Sequence, residues 1–93
     1  MLVSNSLIYS NSAPNSDNGY GGAFDIRSGT YGIENSEIFS NTAGSGGGAI
    51  AISFGTLTIS LTKIHGNTAN YGGGLALSAD SATIDQCLIM DNT

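Results

Sequence analysis

Apolar and polar residues alternate in short runs along this chain, and the runs are separated by turn-forming residues. Ile50-Ala51-Ile52 alternates large and small, and Ser53-Phe54-Gly55 then turns the chain. Leu57-Thr58-Ile59 alternates again, and after Ser60-Leu61-Thr62 a third run, Lys63-Ile64-His65, leads to Asn67. Period-two alternation in three pieces predicts three short strands per unit, each with one face to bury. Strands this short are not stable alone and need neighbours on both edges.

The units recur. Ile-x-x-Asn-(Ser/Thr) occurs four times, ending at Asn11-Ser12, Asn41-Thr42, Asn67-Thr68 and Asn92-Thr93. The asparagines are separated by 30, 26 and 25 residues. A second column, Val3, Ile33, Ile59 and Ile84, is separated by the same three numbers. Glycine runs precede apolar strands at Gly21-Gly22-Ala23-Phe24, Gly47-Gly48-Ala49-Ile50 and Gly72-Gly73-Gly74-Leu75. Independent markers sharing one irregular period identify a tandem array. We divide it as a single segment, 1–93, with repeats at about 3–32, 33–58, 59–83 and 84–93.

Stacking each repeat on the next pairs the short strands in parallel, about 4.8 Å per coil, and buries their apolar faces. The predicted inward columns are Val3/Ile33/Ile59/Ile84, Ile8/Ile38/Ile64/Ile89, Phe24/Ile50/Leu75 and Ile26/Ile52/Leu77. Parallel crossovers are almost always right-handed. Left-handed hexapeptide helices are the exception, but 25 and 26 are not multiples of six. The predicted fold is an all-β, right-handed parallel β-helix of about three and a half coils of 25–30 residues, with three short strands per coil.

Two features of the repeat follow from this stacking. A primary amide carries two donors and an acceptor, so Asn11, Asn41, Asn67 and Asn92 can bond one to the next as a ladder. Exposed turn asparagines without a ladder are the alternative, and asparagine also suits a left-handed bend. The paired glycines permit dihedrals closed to other residues and let stacked turns approach closely. A phosphate-cradling loop would need a Walker-type Lys-Ser/Thr, or a following helix and a ribose-binding acid, and neither is present.

Composition narrows the classes. With 40% hydrophobic and 10% charged residues the chain is not a disordered tract. Its formal charge is −5 and its only cations are Arg27 and Lys63, so a nucleic-acid interface, which needs a basic stripe, is not expected. No run approaches the apolar length of a membrane-spanning helix. The single Cys87 can form no internal disulfide and is expected as a packed thiol. No export signal is legible at Met1-Leu2-Val3-Ser4. Because the array starts and stops within repeats, we expect a fragment of a longer array whose uncapped ends self-associate.

The pairing of Gly-Gly-Ala-(Ile/Leu/Phe) with apolar-x-x-Asn resembles the repeats of chlamydial polymorphic outer membrane proteins. It is also similar to right-handed β-helix repeats of the pectin-lyase-like superfamily. The resemblance covers nearly the whole chain, departing at Gly74, where alanine is usual, and in having Ile rather than Phe before x-x-Asn. It implies an extracellular or outer-membrane location and a surface-displayed passenger, often an adhesin or antigen.

Candidate chemistry is sparse. Asp25 and Arg27 point outward from one strand, but their counterparts are Ala51 and Ser53, then Ala76 and Ser78. Glu34 and Asp85 share an outward column with Ser60 between them, roughly 10 Å apart at two coil spacings. Glu37 and Lys63 fall at equivalent positions, where a cross-strand ion pair is expected. Tyr9, Phe39, His65 and Met90 form an outward column of large side chains, a possible partner surface or ordinary stacking. Tyr20 and Tyr71, each just before a glycine run, could stack on sugars. The extra residues Pro14-Asn15-Ser16-Asp17-Asn18 lengthen the first loop, where solenoids place functional insertions.

The expected function is a non-catalytic structural or adhesive β-helix segment of a secreted or cell-surface protein. The expected partners are a host-surface protein or a glycan, and no cofactor, metal or catalytic set is assigned. The alternatives are a fragment of a polysaccharide lyase or glycoside hydrolase, or a carbohydrate-binding surface.

Overall fold

The computed structural model describes residues 1–13, 19–78 and 81–93; the first-loop insertion at Pro14–Asn18 therefore lies outside the described residues. The first coil contributes β1 (Leu2–Ser4), β2 (Leu7–Tyr9), β3 (Ser12–Ala13) and β4 (Phe24–Ile26). The second contributes β5 (Thr30–Glu34), β6 (Glu37–Phe39), β7 (Thr42–Ala43) and β8 (Ile50–Ile52). The third contributes β9 (Thr56–Ser60), β10 (Lys63–His65) and β11 (Leu75–Leu77), and the last β12 (Ser81–Asp85) and β13 (Leu88–Met90).

These strands form three walls. One is β1-β5-β9-β12, the second β2-β6-β10-β13, and the third β4-β8-β11. Every pairing is parallel. The chain is thus a β-solenoid of about three turns, a right-handed parallel β-helix. Among the described residues there is no helix, and so none long and apolar enough to cross a membrane.

The register follows the repeat period. Val3, Ile33, Ile59 and Ile84 are consecutive partners on the first wall. Ile8, Ile38, Ile64 and Ile89 are consecutive partners on the second. Phe24-Ile50-Leu75 and Ile26-Ile52-Leu77 run along the third. Inner-coil members are almost wholly buried, with Ile38, Ile50, Ile59 and Ile64 at 0% exposure. Each contributes roughly 1.5–3 kcal/mol of apolar burial. A further inward column, Tyr31-Leu57-Ala82, joins them and escapes the sequence reading. Leu57 is 1% exposed there.

Between the second and third walls lies a short fourth ladder. Strand β3 pairs with β7, and Thr42 bridges to Thr68 in the next coil. The sequence predicts three strands per coil, and the additional ladder is only two residues long, too short for alternation to reveal.

The asparagines form a ladder. Asn41 Nδ2 donates to Asn67 Oδ1 at 3.0 Å, and Asn67 Nδ2 donates to Asn92 Oδ1 at 2.9 Å. Asn41 and Asn67 are both at 0% exposure. The left-handed bend belongs to the preceding residues, Ser10, Ser40, Gly66 and Asp91, with φ of 58°, 56°, 63° and 53°. The bend thus frees the asparagine to aim its amide along the coil axis rather than to make the turn itself.

A second polar ladder, also missed in the sequence, runs through Ser6, Ser36, Thr62 and Cys87. Their hydroxyls and thiol donate to the carbonyl two residues back, at 2.8 Å for Ser6, Ser36 and Thr62 and 3.3 Å for Cys87. Ser6 N–H and Ser36 N–H in turn donate to the hydroxyl of the next coil. Among the described residues, no buried side-chain nitrogen or oxygen lacks a partner.

Close coil approach explains the glycines. A Cβ on Gly48 would lie 2.0 Å from the Gly73 carbonyl oxygen. Its predecessor Gly47 has φ +67°, a conformation glycine adopts without a Cβ penalty.

Candidate functional site

Tyr20 and Tyr71 are 51 residues apart, yet their side chains meet on the outside of the solenoid. The period brings them together. Tyr20 bridges to Gly46 in the next coil, and Gly46 bridges to Tyr71 in the coil after. A glycine in the middle rung leaves the space that the Tyr71 ring occupies, since a Cβ on Gly46 would lie 2.6 Å from Tyr71 Cε2. The rings are 6.3 Å apart between centroids and tilted by 67°, an edge-on pair. Tyr71 Oη donates to Tyr20 Oη at 3.0 Å. That bond holds the neutral phenol and raises the Tyr71 pKa above its ordinary value, with burial adding a smaller push in the same direction.

Beside the pair lies an open cleft of about 520 Å³. Its floor is the outward face of β8 and β11, where Ala51 and Ala76 are registered neighbours. Small side chains there leave a trough, and Ser53 and Ser78 add hydroxyls at its end. In the first coil the same outward row begins with Asp25, partner of Ala51. Arg27 is fixed against it, with Nε and Nη2 at 3.2 and 3.0 Å from Asp25 Oδ2. The hydrogen bond and then the charge of Asp25 raise the Arg27 pKa. Exposed as it is, the pair contributes little to stability. The cleft thus combines aromatic surface, hydroxyl groups and a shallow apolar floor, with a fixed donor–acceptor pair along the same row.

The second candidate surface is the column Tyr9, Phe39, His65 and Met90, which the register places on consecutive strands. Tyr9 and Phe39 stack at 4.9 Å and 11°, and Phe39 and His65 at 5.2 Å and 3°. Parallel rings in one stack cover each other's faces. Phe39 and His65 are accordingly only half exposed. Such pairs stabilise the wall by about 0.5–1.5 kcal/mol each. This favours stacking over the partner-surface reading for the column. In place of the expected Glu37–Lys63 ion pair there is a diagonal contact between Glu37 and His65. Glu37 and Lys63 are registered neighbours, but Glu37 Oε2 lies 2.6 Å from His65 Nε2. His65 is held flat against Phe39, so its nitrogen is presented to Glu37 in one fixed place, whereas the lysine chain must give up rotamer freedom to reach it.

The remaining candidates stay apart. Ser60 separates Glu34 from Asp85 in the register. Cys87 is half-buried, with Sγ hydrogen-bonded to the Asp85 and Ile59 carbonyls. Among the described residues, no three His, Cys, Asp or Glu side chains are grouped so as to hold a metal ion. The tyrosine pair is the feature that sequence reasoning left as two separate loop residues. The signal was available, because Tyr20, Gly46 and Tyr71 are spaced 26 and 25 apart, the period of the array. No family model, curated protein or solved structure matches the chain.

Proposed function

We propose that this chain is a non-catalytic, adhesive β-helix segment of a secreted or cell-surface protein, and that its contact site for a glycan is the Tyr20–Tyr71 cleft. The observation that carries the reading is the meeting of two tyrosines from coils two apart over a glycine, beside a trough floored by Ala51 and Ala76. Sugars present flat C–H faces to aromatic rings and hydroxyls to polar rims. The cleft offers both surfaces, with Tyr71 55% exposed. The repeat's resemblance to surface passenger proteins supports the same reading. The floor of the cleft belongs to β8 and β11, and both tyrosines are tied into bridges between successive coils, which favours binding by a preorganised surface.

A glycan array probed with the 93-residue chain and with Tyr71→Ala tests this. Binding that is lost in the variant is expected, and binding equal in both, or absent from both, overturns the glycan site. Incubation with polygalacturonate and related polymers, with and without Ca²⁺, tests the non-catalytic part. No release of reducing ends or unsaturated products is expected, and cleavage above a heat-denatured control overturns it.

A further inference from the structure

We propose that Tyr20 and Tyr71 are a site of oxidative coupling, where a one-electron oxidant of the peroxidase and peroxide class joins the two rings by a carbon–carbon bond. The product is a staple spanning three coils. The two hydroxyls are already in contact, with Tyr71 Oη donating to Tyr20 Oη at 3.0 Å. A phenoxyl radical carries its spin on oxygen and on the ring carbons ortho and para to it. In tyrosine the para carbon is blocked by Cβ, so coupling takes place at the ortho carbons, Cε1 and Cε2. Rings that meet hydroxyl to hydroxyl bring those carbons together. The planes are tilted by 67°. The coupled product needs a tilt as well, because the groups flanking the new bond clash when both rings share one plane.

The fold fixes both partners. Tyr20 bridges to Gly46 and Gly46 to Tyr71. Tyr71 N–H donates to the Ser45 carbonyl at 3.0 Å, and the Tyr71 carbonyl accepts from Gly47 N–H at 3.1 Å. A Cβ on Gly46 would lie 2.6 Å from Tyr71 Cε2, so a reactive edge of that ring is seated on the rung next to Tyr20. Holding the reacting groups side by side turns an encounter of two radicals into a unimolecular step. Tyr71 is 55% exposed, which leaves it within reach of an oxidant. The chain has four tyrosines, and the other two are placed differently. Tyr9 stacks on Phe39, whose ring carries no hydroxyl, and Tyr31 packs against the core.

In the reaction each phenol gives up one electron to the oxidant and its hydroxyl proton to water. One Cε of Tyr20 then bonds to one Cε of Tyr71. Each joined carbon releases its hydrogen to water as a proton, and each oxygen takes a proton back, which restores both phenols. In sum two C–H bonds are lost and one C–C bond is formed. Two electrons and two protons leave the protein, and one hydrogen peroxide takes them up to become two waters. The new bond closes a loop from Tyr20 to Tyr71 that contains β5 to β8, the strands of the second coil. A cross-link over so long a loop restricts the unfolded chain and so favours the folded one. With Cys87 its single cysteine, this chain has no internal disulfide to do the same.

Treating the chain at low micromolar concentration with a haem peroxidase and one equivalent of hydrogen peroxide tests this. The expected product is a monomer lighter by two hydrogen atoms, with dityrosine fluorescence and a single cross-linked peptide pair holding Tyr20 and Tyr71. Tyr20→Phe and Tyr71→Phe keep a ring in place, and each should lose that product. Gly46→Ala keeps both phenols but displaces the Tyr71 ring, and should slow coupling at least about tenfold. The coupled monomer should unfold at a higher urea concentration than the untreated chain. Absence of the coupled monomer, coupling through Tyr9 or Tyr31, or coupling mainly between chains overturns the proposal. So does an equal rate in Gly46→Ala or an unraised urea midpoint. These readouts involve no sugar and are independent of glycan binding.

Discussion

Replacing Asn67 by alanine removes the middle of the amide ladder, where the solenoid has least access to water. Its Nδ2 donates to the Ile38 and His65 carbonyls, each at 3.1 Å, and to Asn92 Oδ1 at 2.9 Å. Its Oδ1 accepts both the backbone and the side-chain nitrogen of Asn41 at 3.0 Å. Asn67 and Asn41 are both at 0% exposure. Counting only the two stranded Asn41 donors, at roughly 1–3 kcal/mol for each buried group left unpaired, the loss is about 2–6 kcal/mol. A chain of this length is stable by roughly 5–14 kcal/mol, so the variant forfeits a large share. Asn11 provides the control. It is exposed, and its amide donates to Asn41 Oδ1 and the Tyr9 carbonyl. Asn11→Ala should therefore cost no more than about 1 kcal/mol. Urea unfolding followed by circular dichroism measures both, with the midpoint shift read at constant slope. Equal costs for the two variants, or a loss below about 1 kcal/mol at Asn67, would refute the buried ladder.

Other outcomes follow from single positions. Leu61 sits at φ +50° and is 57% exposed, in a column whose earlier members, Asn5 and Asn35, are hydrogen-bonded to each other through their amides. Leu61→Asn relieves the left-handed strain and should raise stability by about 0.5–1.5 kcal/mol in the same urea assay, and a decrease contradicts the strain argument. Gly46→Ala forces the Tyr71 ring aside while both tyrosines are kept in the sequence. Because Gly46 is not in the left-handed region, its stability should change by less than about 1 kcal/mol while glycan binding falls as in Tyr71→Ala; unchanged binding contradicts the cleft. The Tyr71 hydroxyl should titrate above the ordinary phenol range of about 10 and return toward it in Tyr20→Phe. Since the folded value is raised, this hydrogen bond contributes fully below the unfolded value and is lost as pH rises through the folded one. Nuclear magnetic resonance titration of the tyrosine ring carbons checks it, and an unmoved midpoint in Tyr20→Phe contradicts the assigned bond.

The fold was legible because β-helix coils repeat their side chains vertically. Val3, Ile33, Ile59 and Ile84 are alike in type and share one spacing, so alignment alone found their register. The same spacing ran through Ser6, Ser36, Thr62 and Cys87 without being noticed, because three residue types perform one hydrogen-bonding task. Tyr31, Leu57 and Ala82 hid for a related reason, since an inward column that tapers in size lacks a constant residue. Register alone could not choose the partner of Glu37. It placed Lys63 directly opposite, but the stack of His65 on Phe39 offered a nitrogen already in place. The tyrosine cleft lay furthest from view, because its two rings belong to coils that do not touch and meet only across the missing side chain of Gly46. What a surface of this kind binds depends on shape and exposure, which repeat spacing does not encode.

The vertical stacking itself is tested most directly by nuclear Overhauser contacts between backbone protons of successive coils. The account predicts amide-to-α cross-peaks in the parallel pattern linking the Ile8, Ile38, Ile64 and Ile89 strands in that order, with none between Ile8 and Ile64. An antiparallel pattern between β6 and β10, or cross-peaks joining Ile38 to a strand other than those of Ile8 and Ile64, would contradict it.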